Sequence, residues 1–340
     1  MLHFDTDYME GAHPALMQKL METNLEQTPG YGSDEYSRKA KDLIREACGD
    51  TELDVHFLVG GTQTNSTVID GILAHHEGVL AAETGHINVH ESGAIESCGH
   101  KVLTLPSHAG KVEAGEVKAW IDNFYADETY EHMVAPGMLY ISYPTEYGTI
   151  YTRQELEAIH EVCSNAGIPL FIDGARLGYG LASDAADITL KEFSQLCDVF
   201  YIGGTKVGAL FGECVVAHKG ILNHFFPLVK QHGALLAKGR LLGIQFGTLF
   251  TDGLYLQIAR HAVKMAMILK EGFIAKGIKP FIDSPTNQQF FTLPNEVMDR
   301  LAEHATFEVW GTRGEKETNV RFVTSWATKE ENVRKLVELI

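Results

Sequence analysis

The stretch Tyr201-Ile202-Gly203-Gly204-Thr205-Lys206 puts a lysine directly after an apolar run and two glycines, with a threonine hydroxyl beside it. A lysine at such a position is ordinarily a solvated surface residue. Here its neighbours are small or hydrophobic on both sides. A lysine partly withdrawn from water loses its proton more readily, which suits Schiff-base formation with an aldehyde. Asp173-Gly174-Ala175-Arg176 follows another apolar run, Pro169–Ile172. An aspartate there is costly unless it meets a cation or a set of donors, although taken alone it reads as an N-cap or turn residue. Gly60-Gly61-Thr62-Gln63 separates the run Val55–Val59 from a segment with helical character near residues 66–75. Glycines there let backbone N–H groups approach an anion, and a helix N-terminus favours negative charge. This is neither a Walker loop nor a G-x-G-x-x-G, so by itself an ordinary βα turn accounts for it.

The three stretches together fit one cofactor better than any of them fits a function alone. A phosphate needs the Gly61/Thr62 cradle, a pyridinium nitrogen needs the carboxylate of Asp173, and an aldehyde needs Lys206. Pyridoxal 5′-phosphate carries all three groups.

Distant stretches can meet only if the fold brings them together. From about residue 53 the chain alternates apolar runs with helix-like segments. The runs are Val55–Val59, Gly78–Ala82, Lys101–Leu105, Met138–Tyr143, Pro169–Ile172, Val199–Ile202 and Cys214–Ala217. Most are apolar throughout, as expected of parallel strands covered on both faces. Thr152 and Glu155 spell a capping box, Leu156, Ile159, Val162, Cys163 and Ala166 line one helical face, and Gly167 is a stop signal. With the next strand this is half of a βαβ unit. The region therefore reads as an open α/β sheet with its chemistry at the carboxyl ends of the strands, where all three stretches begin.

Near residue 250 the pattern changes. Ile258, Ala262, Ala266 and Leu269 mark a long helix ending near Gly277, and strand-like runs follow at Gln289–Leu293, Thr306–Trp310 and Val320–Thr324. A last helix is expected from a second capping box, Thr328 with Glu331. The expected architecture is α/β. A partly irregular arm over residues 1–34 carries one short helix. A large cofactor-binding domain over 35–249 holds a mostly parallel central sheet flanked by helices, and a smaller α+β domain spans 250–340.

Composition narrows the partners. The chain has 340 residues, 45% of them hydrophobic, and a formal net charge of -17. A chain that acidic repels phosphate backbones and anionic lipid, which argues against nucleic-acid or membrane binding. No apolar stretch approaches the ~20 residues of a membrane span, and the first residues lack the basic-then-apolar pattern of a signal peptide. Five scattered cysteines, with no C-x-x-C pair, read as reduced thiols in a cytoplasmic protein.

One further segment stands out: Glu83-Thr84-Gly85-His86-Ile87-Asn88-Val89-His90-Glu91. His86 and His90 have i, i+4 spacing with Glu91 adjacent, which would suggest a metal site if the segment were helical. Gly85 and Val89 weaken a helix, no third ligand is evident, and no metal is expected.

At Gly61-Thr62, Glu83–Glu91, Asp173–Leu177, Thr205-Lys206 and Val320-Arg321-Phe322-Val323-Thr324 the chain resembles the threonine aldolase and β-eliminating lyase family of pyridoxal-phosphate enzymes. The likeness runs from Asp5 to Trp326 and implies the aspartate-aminotransferase-like fold, fold type I. It also implies that His86 stacks on the pyridine ring, that Arg176 and Arg321 grip a substrate carboxylate, and that Thr6 assists them. A basic residue of the 230–240 region, with Lys230, Lys238 and Arg240 as candidates, is expected to reach the phosphate of a neighbouring subunit. Tyr31 is expected to cross in the same way, so the resemblance implies a homo-oligomer, dimer or tetramer. Many threonine aldolases carry a histidine near the substrate hydroxyl after the strand matching Met138–Tyr143, whereas this chain has Pro144-Thr145-Glu146-Tyr147-Gly148. Glu146 thus becomes the candidate base, able to act directly or through water.

The expected reaction is cleavage of a β-hydroxy-α-amino acid, such as L-threonine or L-allo-threonine, to glycine and an aldehyde. A β-eliminating lyase or an aminotransferase would keep the cofactor and change the bond broken. A nucleotide-dependent oxidoreductase lacks its dinucleotide fingerprint here and leaves Lys206 without a role. A binding module would not need Asp173, Lys206 and Arg321 together.

Overall fold

The computed structural model describes residues 1–340. In chain order its strands are β1 (Leu2–His3), β2 (Asp54–Leu58), β3 (Glu77–Ala82), β4 (Lys101–Leu105), β5 (Ala135–Ser142), β6 (Leu170–Asp173), β7 (Val199–Gly203) and β8 (Glu213–Ala217). They continue with β9 (Lys279–Ile282), β10 (Gln288–Pro294), β11 (Ala305–Thr306), β12 (Glu308–Val309) and β13 (Glu317–Val323). Every apolar run from residue 55 to 217 falls on a strand. These seven form one sheet in the order β2-β8-β7-β6-β5-β3-β4. Neighbours are parallel from β4 across to β7, and β8 alone runs the other way, antiparallel to both β7 and β2. The reversal follows from connection length, because residues 204–212 are fewer than the dozen or so that a parallel crossover needs.

Apolar layers cover both faces of this sheet, Leu80, Leu139, Ile141, Ile172 and Ile202 on one side and Val79, Met138, Tyr140, Phe171 and Tyr201 on the other. That double burial is the reason the strands are apolar without alternation. The helix Arg153–Ala166 forms as its signals predict. Thr152 N–H donates to Glu155 Oε2 at 2.7 Å, Glu155 N–H donates back to Thr152 Oγ1 at 3.2 Å, and Gly167 closes the helix at φ 69°.

The second capping box does not form. Thr328 Oγ1 instead accepts the Ser325 N–H at 2.8 Å, and the last helix, Glu330–Glu338, starts after Lys329 with no side-chain cap. A local turn has won the threonine hydroxyl, which offers the same group to either partner. The helix expected near residues 66–75 begins earlier, at Gly61, and ends at Ile72, leaving His75 and His76 in the following turn.

Beyond the long helix Leu254–Ala275, β12-β13-β10-β9 form an antiparallel sheet. The run Thr306–Trp310 is divided between β11 and β12. Met265, Leu269 and Phe273 of the long helix pack on Phe291, Val320 and Phe322 of that sheet. The start of the chain belongs to this assembly too, since β1 pairs parallel with β11 through Leu2↔Ala305. No helix is long and apolar enough to cross a membrane.

Candidate active site

A cavity of about 790 Å³ opens at the carboxyl ends of β5, β6 and β7. Its walls include Thr6, Gly61, Thr62, His86, Glu146, Asp173, Arg176, Thr205, Lys206 and Arg321. Tyr31, Lys230, Lys238 and Arg240 do not line it. Arg240 donates to the backbone carbonyls of Glu26 and Asn24 at 2.8 and 3.1 Å, and the Lys230 ammonium lies 4.7 Å from the centre of the Tyr31 ring.

Asp173 ends β6 between two longer strands and is only 5% exposed. Its Oδ1 accepts the Tyr201 hydroxyl at 2.5 Å and the Ala175 N–H at 2.9 Å. Its Oδ2 accepts the Tyr140 hydroxyl at 2.6 Å and the Asn65 amide at 3.0 Å. Burial pushes this carboxyl up, but the His86 ring and these donors outweigh it and hold the group below the usual carboxylate range.

Lys206 lies in the loop after β7. Its backbone carbonyl is fixed by the Tyr179 hydroxyl at 2.5 Å, whereas its Nζ makes no ion pair within the chain. Burial and then the Arg176 charge pull the ammonium down, which favours a neutral amine. Beside it, Thr205 Oγ1 accepts the Gly212 N–H at 3.1 Å. Glu213, at the start of β8, accepts the Gly204 N–H at 3.0 Å, and burial pushes its carboxyl up to about 8. Lysine and glutamate are thus both shifted toward their neutral forms.

Gly60 is the N-cap of the helix Gly61–Ile72, and no side chain caps that end. Thr64 N–H bonds Gly60 O, which leaves the N–H groups of Gly61, Thr62 and Gln63 without partners in the chain. Gly60, Gly61 and Thr62 line the cavity, and a Cβ added at Gly60 would meet nothing within 4 Å.

His86 starts a single helical turn, His86–Val89. Its Nδ1 is bonded to Glu91 Oε1 at 2.7 Å, and the same oxygen accepts the Asn65 amide at 2.7 Å. The His86 and His90 rings sit 5.6 Å apart. Glu146 Oε1 accepts the His86 N–H at 3.0 Å and the Ser142 hydroxyl at 2.6 Å, and burial pushes its carboxyl up.

The two arginines already hold carboxylates of the chain. Arg176 binds Asp7 in a bidentate manner, Nε to Oδ2 at 2.7 Å and Nη2 to Oδ1 at 3.0 Å. Arg321 pairs with Glu308, donates to Gln288 Oε1 at 2.7 Å, and lies 5.1 Å from the Trp310 ring. Its Nε is buried without a partner.

The beta-eliminating lyase family matches residues 3–294. The chain belongs to that family. The low specificity L-threonine aldolase of a Pseudomonas species is 29% identical over 343 residues, covering 98% of this chain and 95% of its own. A solved structure of a Leishmania major threonine aldolase is 41% identical with a TM-score of 0.96, covering 100% of this chain and 98% of that one. A Thermus thermophilus aspartate aminotransferase, 16% identical with a TM-score of 0.73 over 100% of this chain and 90% of its own, shares the fold. The beta-eliminating lyase family uses pyridoxal 5′-phosphate, and the cavity fits that group on its own chemistry. Gly61 and Thr62 bring N–H groups without partners in the chain, Asp173 a buried carboxylate held below the usual range, and Lys206 an amine without an ion pair, and all four residues line the cavity.

Sequence reasoning missed Asp7, Asn65, Glu91, Tyr140, Tyr201 and Glu213, all of them buried and most lining or bracing the cavity. Asn65 and Asp7 look like ordinary helix and arm residues in sequence. Glu91 gave a signal, as an acid beside a histidine. Tyr140 and Tyr201 were hidden because an apolar strand absorbs a tyrosine without comment.

Proposed function

We propose that this beta-eliminating lyase family member is a low-specificity aldolase that cleaves β-hydroxy-α-amino acids, such as L-threonine and L-allo-threonine, to glycine and an aldehyde. The observation that carries the reading is the convergence of Lys206, Asp173, His86, Glu146, Arg176 and Arg321 on one cavity in a chain related throughout to threonine aldolases. When bound, pyridoxal 5′-phosphate supplies an electron sink for the bond broken at Cα.

The chain's residues divide the remaining work. The free N–H groups of Gly61 and Thr62, with Thr205, hold the phosphate at a helix N-terminus. Lys206, whose amine is shifted toward its neutral form, would hold the cofactor at its aldehyde. Asp173 would hold the ring nitrogen, and His86, steadied by Glu91, would cover the ring. Arg176 and Arg321 hold the substrate carboxylate, with Thr6 beside them, and so set which Cα bond lies parallel to the ring orbitals. Glu146 takes the β-hydroxyl proton as the Cα–Cβ bond breaks. A buried glutamate with a raised pKa is suited to accept a proton near neutral pH.

The residues 35–249 form the cofactor-binding part and 250–340 the smaller domain, with 1–34 as an arm. The working unit is a homo-oligomer. Tyr31, 46% exposed at φ 58°, and Lys238 lie outside their own chain's cavity and are offered to a neighbour's. The test is a visible spectrum of the purified protein, followed by assay of aldehyde release from a panel of β-hydroxy amino acids. Wild type should carry a visible band, be fixed by borohydride at Lys206, and release aldehyde. Lys206→Ala should lose all three, and label on another lysine would sink the assignment.

A further inference from the structure

Glu213 is a buried acid to which the reaction above gives no part. It opens β8, is only 3% exposed, and lines the cavity. It stands directly opposite Leu58 at the end of β2 and opposite Gly203 at the end of β7. The chain leaving β2 makes the Gly60-Gly61-Thr62 turn, and the chain leaving β7 runs through Gly204 and Thr205 to Lys206. Glu213 thus sits between the two segments whose donors would hold a phosphate.

Residues opposite each other across strands, and those two apart along one strand, share a face of the sheet. Glu213 therefore shares a face with Leu58, Tyr201 and Val215. All three belong to the apolar layer that includes Val68 and Ile69 of the helix Gly61–Ile72. The Tyr201 hydroxyl would lie 3.3 Å from a Cβ built on Gly61, so this face of the sheet meets the start of that helix. Glu213 Oε2 accepts the Gly204 N–H at 3.0 Å, and its other oxygen is left toward the cavity.

The titratable groups around it are Lys206 from the loop, Asp173 from β6, Tyr201 from β7, Tyr255 from the long helix and Cys214 from β8 itself. Of these only Lys206 can carry a positive charge. Burial pushes the Glu213 carboxyl up to about 8, against the pull of that lysine. A phosphate monoester, with its second pKa of about 6, is a dianion at neutral pH. A carboxylate beside a dianion in a site shielded from water is repelled, whereas a neutral acid can donate to it.

We propose that Glu213 is a further cofactor-binding residue, a neutral carboxylic acid that donates a hydrogen bond to the phosphate of the bound cofactor. The inference rests on the phosphate cradle of Gly61, Thr62 and Thr205 made under the proposed function, and adds to it a donor that works only while it keeps its proton. Binding the dianion raises the Glu213 pKa further. By linkage, the affinity that the phosphate confers is full at neutral pH and falls about tenfold per pH unit once pH passes about 8.

Pyridoxal 5′-phosphate and pyridoxal share the aldehyde and the ring, so the ratio of their dissociation constants from the apoprotein isolates the phosphate. In wild type the ratio should favour the phosphate form and shrink roughly tenfold or more between about pH 7.5 and 9.5. Glu213→Gln keeps the shape and the acceptor for Gly204 N–H and replaces the acid by a donor that does not ionise, so its ratio should stay high and flat. Lys206→Ala removes the neighbouring ammonium and keeps the acid, so the fall should persist, displaced to higher pH. A flat ratio in wild type or in Lys206→Ala, or an unchanged fall in Glu213→Gln, would overturn the proposal. Equal affinities for the two compounds at every pH would instead defeat the phosphate cradle itself.

Discussion

Glu146 is the residue whose role is most open to a single substitution. Its Oε1 is committed to the His86 N–H and the Ser142 hydroxyl, which leaves Oε2 to face the cavity. Glu146→Gln keeps the shape and an acceptor for both donors while removing the basic oxygen. Cofactor absorbance should be unchanged, and aldehyde release should fall roughly 10²-fold or more, the scale of general-base contributions. The pH profile gives the sign. A base must be ionised, so wild-type kcat/KM rises as pH rises through the Glu146 pKa, and burial places that limb above the usual carboxylate range. The variant should lose the limb, and unimpaired cleavage would remove Glu146 from the chemistry. At this scale the sequence showed the residues whose types announce chemistry, namely Lys206, Asp173, His86 and Arg321. It did not show their partners. Asp7 and Asn65 act by hydrogen bonds across 169 and 108 positions of the chain, and no local pattern encodes a contact of that kind.

The ends of β6 and β7 are locked together by two glycines, and Asp173 and Lys206 hang from that lock. Gly203 N–H donates to Gly174 O at 2.9 Å, and a Cβ on Gly174 would lie 1.8 Å from the Tyr201 carbonyl oxygen. Overpacking costs about 1–3 kcal/mol where side chains can adjust; here the obstacle is backbone, and relief requires the strand ends to part. Gly174→Ala should therefore cost more than that and displace Asp173 from Lys206. Gly167→Ala is the control, since Gly167 has φ 69° but open space around it, and a left-handed alanine costs about 1–2 kcal/mol. Urea midpoints should fall further for Gly174→Ala, with weakened cofactor absorbance. Equal midpoints and a normal spectrum would show that the lock is dispensable. Elements with a strong single signal were legible: the apolar runs became strands, and Thr152 with Glu155 capped its helix. The box at Thr328 and Glu331 has the same spelling and failed, because Ser325 N–H reached the threonine first. A cap is a competition for one hydroxyl, and the sequence names the contestants without deciding between them.

The whole molecule leaves an apolar edge where its arm meets the rest of the chain. Gly30 and Tyr31 dock against Ala237, with Tyr31 N–H donating to the Ala237 carbonyl at 3.1 Å. Around that contact Leu25 is 92% exposed, Phe226 55% and Tyr31 46%, and Tyr31 shares a small groove with Phe226. A chain of net charge -17 that still exposes such side chains together has a surface suited to a partner. In the proposed assembly the partner is a second copy, whose cavity Tyr31 would reach. Sedimentation should give a multiple of the 37.6 kDa chain, and a fully active monomer would contradict the assembly. Mixing variants tests the sharing itself. Lys206→Ala should be inactive, and Tyr31→Ala strongly impaired. In a hybrid of the two chains, one site combines an intact Lys206 with an intact Tyr31 from its neighbour, while the other site has neither. Random reassortment into two-fold dimers should therefore restore about a quarter of wild-type activity. If Tyr31 served its own chain's site instead, each site in every hybrid would carry one defect, and mixing would restore nothing.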